Sequence, residues 1–502
     1  MPTDHGITRR EFLTRLGLGA AGLAASSLLR PGSGLAAEPQ RPNLLYIMSD
    51  QHRWDFMSGL GSPLVHTPRL DRLAREGVLF DSAYCQAPLC VPSRMSEITG
   101  RYVHSHGALS NQYALPETER TIGHHFKDHG YATGAIGKMH FQDEDQHHGF
   151  DLIIGATEYY EATGKDFKPT PYGGDPAQGV LREHTKKQTR RQGGRRFGKS
   201  AETDEQTYEH FLADRFIDWL GKKPPQPFCM WLSFHAPHPP YLTPDTYYKL
   251  YEGKVKVPEQ PPPGYFSEGR PKKNGNMSEE QELAAIAAYL GRITSVDTQI
   301  GRVLAAMEKA GLMDDTVISY TADHGDMMGE RSRFGKTVMY DSSARIPLIF
   351  RYPKALPRGV RRHEVVEHVD LVPTFCDLTG LPTPPTVQGR SLAPLMAGKS
   401  VNWANTAFSE LADKVLVREN QYKLTCYDGK ALELYDVAKD PREWHNLIDK
   451  PESKAVVERL TKLRDGWMAR TTPDVRGHVQ PYHSGQARAR RRRVVEDAEQ
   501  AQ

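Results

Sequence analysis

Short apolar runs alternate along this chain with segments whose apolar residues recur at helical spacing. Asn43–Met48 (NLLYIM) is apolar throughout after its first residue, the pattern of a strand buried on both faces. Thr67–Gly77 then reads as a helix, with Pro68 in its first turn, apolar positions at Leu70, Leu73 and Ala74, and a closing glycine. The alternation continues. Helical Thr121–His129 precedes strand-like Ala132–Gly137, Glu205–Leu220 precedes Phe228–Phe234, and Ser278–Ala310 precedes Val317–Tyr320. Strands that alternate with helices predict an α/β fold, a mainly parallel central sheet sandwiched by helices.

Where the periodicity fails, the composition changes. Residues 164–204 are rich in Gly, Lys and Arg, and residues 258–276 in Pro and Gly, so both read as inserted loops, either solvated excursions or the rim of a pocket. Leu381–Gln388 (LPTPPTVQ) reads as a linker. The expected organisation is a main domain over 41–385, a smaller C-terminal α+β subdomain over 386–475 and a basic, solvated tail over 476–502. Ahead of these, Thr8-Arg9-Arg10-Glu11-Phe12-Leu13 is a twin-arginine pattern. It is followed by an apolar run from Leu16 to Leu29, too short and too rich in Gly and Ala to make a stable membrane span. Residues 1–37 therefore read as a Tat signal peptide, cut near Ala36 or Ala37, with a periplasmic or secreted destination. The 502 residues carry a formal net charge of +3, which does not suit a nucleic-acid partner, and five cysteines, too few and odd in number for a disulfide framework.

The candidate chemistry gathers just past the strands, where open α/β sheets place their sites. Asp50-Gln51 follows the first apolar run, and Asp323-His324-Gly325-Asp326 follows Val317–Tyr320. Two carboxylates, an amide oxygen and an imidazole suit a divalent cation, although an Asp after a strand also serves as a cap or turn residue. Cys90 lies just ahead of Pro92, Ser93 and Arg94, at the mouth of a helix that Gly100 would end. A helix N-terminus favours an anion, but only three residues separate Cys90 from Arg94, which rejects a thiol-phosphatase loop; on spacing alone a buried structural cysteine is the simpler reading. If the strand Ala132–Gly137 ran on, Lys138 and His140 would share one face. His235 and His238 stand in a proline-rich turn, FHAPHPPY, and Lys336 follows Gly335.

Together and in this order these motifs are specific. The chain resembles the type I sulfatases of the alkaline-phosphatase-like superfamily through Asp50-Gln51, Cys90-Val-Pro-Ser-Arg94 with Thr99-Gly100-Arg101, Gly137-Lys138-Met-His140, Pro237-His238, Asp323-His324-Gly325 and Gly335-Lys336. The stretch Glu433–Leu447 resembles the family's C-terminal subdomain. The resemblance implies that a formylglycine-generating enzyme oxidises Cys90 to formylglycine, whose hydrate is the nucleophile. It implies one divalent cation, Ca²⁺ first and otherwise Mn²⁺, Mg²⁺ or Zn²⁺, held by Asp50, Gln51, residue 90, Asp323 and His324. Arg94 would support ionisation of the nucleophile, Lys138 and Lys336 would neutralise the sulfate oxygens, and His238 would serve the leaving oxygen, with His235 as its competitor. His140 would take the second hydroxyl's proton, and Asn111 would contact the sulfate or the hydrate. The implied partners are a sulfate ester (small molecule or glycan), the maturation enzyme and the Tat translocase. Many relatives have a second aspartate in place of Gln51 and Asn in place of His324. The Asp-Gln and Asp-His forms resemble the choline-sulfatase and phosphonate-monoester-hydrolase branches, so phosphonate or phosphate ester hydrolysis is the alternative reading, and a non-catalytic binder of sulfated ligands a more distant one.

Overall fold

A computed structural model describes residues 41–113, 115–116, 118–141, 147–163, 197–261 and 277–472. The expected signal peptide, the basic tail, and residues 164–196 and 262–276 of the two insertions lie outside the described residues.

The first strand, Asn43–Asp50, shows why the sheet is buried on both faces. Leu44, Tyr46 and Met48 enter one apolar cluster with Met95, Phe126 and Phe375, while Leu45 and Ile47 enter another with Phe211, Phe216, Ile300 and Val303. Successive side chains of a strand point to opposite faces, so a continuous apolar run serves two helical layers. Helices Pro68–Glu76, Tyr208–Gly221 and Glu279–Lys309 cover one face; Cys90–Thr99, Ile122–Asp128 and Leu371–Thr379 cover the other. The strand order among the described residues is Val360–Arg362, Val78–Tyr84, Arg345–Arg351, Thr316–Ala322, Asn43–Asp50, Phe228–Pro237, Ala132–Gly137 and Leu152–Ile154, with Val366–Glu367 also along Val78–Tyr84. Arg345–Arg351 runs antiparallel to both neighbours; the other pairs are parallel. The expected mainly parallel sandwich is therefore the fold observed.

Thr316–Ala322, Asn43–Asp50, Phe228–Pro237 and Ala132–Gly137 are adjacent and end at one edge, with Ser49 opposite Ala322, Asp50 opposite Pro237 and Gly137 opposite Ser233. A separate antiparallel sheet, Thr406–Leu411, Lys414–Glu419, Tyr422–Tyr427 and Lys430–Asp436, follows. Helix Lys454–Thr471 packs on it through Leu460 and Trp467. This sheet docks on the main one: the Glu410 N–H donates to the Gln86 carbonyl at 2.8 Å, and buried Lys423 reaches Asp341 at 2.6 Å.

Three local expectations differ. Phe197–Ser200, inside the first expected insertion, is a short strand parallel to Tyr241–Pro244; four residues with one large apolar side chain carry no readable period. The expected linker is docked: the Gln388 N–H donates to the Gly100 carbonyl at 2.8 Å, and Gln388 Oε1 accepts from the Tyr102 N–H at 2.9 Å. The strand before Lys138 stops at Gly137, which adopts φ +110°. A Cβ at Gly137 would stand 1.9 Å from the Ser233 carbonyl oxygen of the neighbouring strand. Gly137→Ala is expected to cost about 3 kcal/mol, from left-handed strain plus backbone collision. Denaturant unfolding checks this, and an unchanged midpoint would contradict it.

Candidate active site

Cys90 is the first residue of the helix Cys90–Thr99, which enters the sheet edge between the strand ends, every residue of it buried. Its Sγ lies 3.3 Å from His324 Nε2, 3.2 Å from Lys336 Nζ, 3.7 Å from Lys138 Nζ and 4.0 Å from Asp50 Oδ1. One donor atom each from Asp50, Cys90, Asp323 and His324 lies within 4.8 Å of the others, and all four residues are buried. Burial and Asp50 oppose ionisation of the thiol, but Lys138, Lys336 and His324 outweigh them and lower its pKa.

One turn along the helix, Arg94 fixes the carboxylates. Its Nη2 donates to Asp50 Oδ2 and its Nε to Asp323 Oδ2, each at 2.9 Å, and its Nη1 donates to the Lys138 carbonyl at 2.6 Å and Ser233 Oγ at 2.9 Å. Lys138 Nζ adds a contact to Asp50 Oδ2 at 2.5 Å. Burial works against the Asp50 charge, yet Lys138, Arg94 and Lys336 hold its carboxyl well below the usual range. Asp323 Oδ1 accepts the N–H groups of Gln51 at 2.8 Å and His324 at 3.0 Å. His324 Nδ1 faces the Gly325 carbonyl at 3.0 Å and donates to it, so Nε2 is the ring nitrogen turned towards Cys90. Two ionised carboxylates and a correctly oriented imidazole fit a divalent cation.

Gln51 is held at both ends of its amide. Its Nε2 donates to Asp326 Oδ2, a group that is an acceptor when ionised, and this turns Oε1 towards Lys336 Nζ at 2.6 Å. The amide thus links Lys336 to Asp326. Asn111 Oδ1 accepts the Val91 N–H at 2.9 Å, at the open end of the Cys90 helix. The face-sharing argument for Lys138 and His140 does not apply, because the strand has ended; Lys138 reaches the site, and His140 lies buried just beyond it in left-handed backbone at φ +69°. His238 is half-buried after the strand Phe228–Pro237, its Nδ1 donating to the Pro239 carbonyl at 2.8 Å and leaving Nε2 outward. Burial, Lys336 and Lys138 push its pKa well below the ordinary histidine value. The His235 and His238 rings lie 4.9 Å apart.

This arrangement has a counterpart in known proteins. The sulfatase family matches residues 42–381, and the family described as N-sulphoglucosamine sulphohydrolase, C-terminal, matches residues 329–466. The chain belongs to the sulfatase family. It is a sulfuric ester hydrolase of the alkaline-phosphatase-like superfamily. An arylsulfatase of Clostridium perfringens (strain 13 / Type A) is 30% identical over 452 residues, covering 84% of this chain and 93% of that one. A choline-sulfatase of Rhizobium meliloti (strain 1021) is 29% identical over 447 residues, covering 85% and 86%. The crystal structure of a phosphonate monoester hydrolase of Agrobacterium radiobacter superposes with a TM-score of 0.74 at 25% identity, covering 86% of this chain and 96% of that one.

Sequence reasoning assigned no part to Asp326, Ser233 or Glu97. Asp326 was visible three residues after Asp323, but its acceptance of Gln51, Tyr241 at 2.7 Å and the Gly335 N–H at 2.9 Å depends on folding. Glu97, one turn below Arg94, is buried against Tyr46 Oη at 2.7 Å and His368 Nδ1 at 3.1 Å. Burial pushes Glu97 up to about 8 and His368 down to about 3, which favours the uncharged form of each over an ion pair. Between the unfolded carboxyl value and that raised value the folded chain holds a proton the unfolded chain has lost, so Glu97 makes stability fall as pH rises through this window. Glu97→Gln should remove that slope, about 1.4 kcal/mol per pH unit where it is steepest, in denaturant melts across the window. Parallel stability profiles for the two proteins would contradict this.

Proposed function

We propose that this sulfatase cleaves sulfate monoesters with residue 90 converted from cysteine to formylglycine and with one divalent cation, Ca²⁺ first, at Asp50, Gln51, residue 90, Asp323 and His324. The observation that carries the reading is the convergence of Asp50, Asp323 and His324 around Sγ, with Lys138 and Lys336 both against the same atom. When present, the cation and the hydrated aldehyde supply Lewis acidity, a hydroxyl to attack sulfur and a second hydroxyl whose deprotonation expels sulfate.

The protein's own groups do the rest. Arg94 holds the outer oxygens of Asp50 and Asp323, so the inner oxygens keep their aim. Lys138 and Lys336 neutralise the sulfate oxygens where charge develops. With Cys90 unconverted, Lys336 is raised in pKa because Cys90, Asp50 and Asp323 outweigh its burial, and the two carboxylates remain beside it after conversion. Seating an anion between the lysines offsets their depression of His238, which lets its Nε2 carry a proton to the leaving oxygen. His140 takes the proton of the second hydroxyl. Asn111, through the Val91 N–H, steadies the helix end that bears residue 90.

The Thr8-Arg9-Arg10 signal supports export by the Tat translocase to the periplasm or medium, after folding and after the formylglycine-generating enzyme has acted. No helix among the described residues is long and apolar enough to cross a membrane. A phosphonate or phosphate ester is the second reading, favoured by the Asp-Gln and Asp-His forms and by the likeness to the Agrobacterium enzyme.

In protein converted at residue 90, exhaustive chelation should abolish turnover of para-nitrophenyl sulfate, and Ca²⁺ should restore it. Activity indifferent to chelation would remove Asp50 and Asp323 from catalysis. Cys90→Ala should lower kcat by at least about 10³-fold with unchanged thermal unfolding, and Cys90→Ser nearly as much, since a serine has no second hydroxyl. Faster turnover of an aryl phosphonate monoester than of the sulfate would put the second reading first.

A further inference from the structure

The loop that carries His238 is held from behind by a buried ion pair outside the reacting cluster. Glu209, in the first turn of the helix Tyr208–Gly221, accepts the Ala236 N–H on Oε1 at 2.9 Å. The same oxygen lies 3.5 Å from Arg292 Nη2 on the long helix Glu279–Lys309, and the two side chains are only 7% and 10% exposed. Arg292 Nη1 donates to the Leu242 carbonyl at 2.9 Å. One pair of charges therefore grips the backbone on both sides of Pro237–Tyr241, two residues before His238 and four after it. Glu209, Arg292, His235 and Ala236 also line one small cavity behind the loop. Both contacts that hold the His238 ring here, the Pro239 carbonyl and the His235 ring, belong to this same loop, so its aim follows where the loop backbone sits.

We infer that Glu209, braced by Arg292, is a positioning residue that aims His238 at the leaving oxygen of the ester. The inference rests on the reading of His238 as the leaving-group acid. Displacing a general acid harms poor leaving groups, which need the proton, and hardly touches good ones. Loss of simple structural support would slow all substrates alike.

The test is kcat/KM over a series of aryl sulfates, from para-nitrophenyl to phenyl, with the full chain converted at residue 90 and loaded with Ca²⁺. Glu209→Asp, which keeps the charge beside Arg292 but withdraws the carboxylate by one methylene, should lose about tenfold on phenyl sulfate and less than about twofold on para-nitrophenyl sulfate. Glu209→Gln, which still offers Ala236 an oxygen, should keep the wild-type dependence on leaving group. Glu209→Ala should exceed the Asp variant if it folds; the Asp and Gln pair decides the matter if it does not. A uniform loss, or none, in folded Glu209→Asp overturns the inference. His238→Asn separates the two claims. A leaving-group dependence unchanged from wild type in that variant overturns the role of His238 itself, whereas a steepened one there with an unchanged one in Glu209→Asp overturns Glu209 alone.

Discussion

The buried guanidinium of Arg94 is the constraint on which the site depends. Asp50 and Asp323 end adjacent parallel strands, and two ionised carboxylates in a dry interior repel each other and resist burial. Arg94 answers both and also binds the Lys138 carbonyl and Ser233 Oγ, so its single planar group ties together the ends of four neighbouring strands. A lysine could not reproduce this, because it lacks a rigid fork of several donors. The helix that begins at Cys90 is thereby locked to the sheet edge, and the position of residue 90 follows from the lock.

Around that lock, charge is layered rather than matched one to one. Lys138 and Lys336 flank Sγ, Gln51 and Asp326 brace Lys336, and the neutral pair Glu97 and His368 lies beneath. The cations nearest residue 90 leave the centre receptive to an anion, while the deeper carboxyl stays protonated instead of adding another negative charge. This division explains how so many ionisable groups share one buried edge of the sheet.

Much of the fold was legible because the strongest signals are local. The helix boundaries at Thr67–Gly77 and Ser278–Ala310 follow from caps and periodicity, and the observed helices Pro68–Glu76 and Glu279–Lys309 fall inside them. The positions of Asp50, Lys138, Asp323 and His324 just past strands were readable locally, whereas their gathering with Cys90, Arg94 and Lys336 came from the resemblance to the sulfatases. What escaped depends on distant partners. The turn of the Gln51 amide is decided by Asp326, the docking of Gln388 by Gly100 and Tyr102, and the end of the strand before Lys138 by contact between Gly137 and Ser233. No local pattern encodes these, since each partner is separated from its mate by tens to hundreds of residues.

The central claim is that residue 90 works as an aldehyde hydrate made from a cysteine. Mass spectrometry with fragmentation of the tryptic peptide Glu76–Arg94, from protein made in a host with the maturation enzyme, tests it most directly. The peptide also holds Cys85, so fragmentation must locate the change. The account predicts a mass loss matching thiol-to-aldehyde conversion at Cys90, with the hydrate alongside and Cys85 intact. An unmodified thiol at Cys90 in protein that turns over sulfate esters would contradict it.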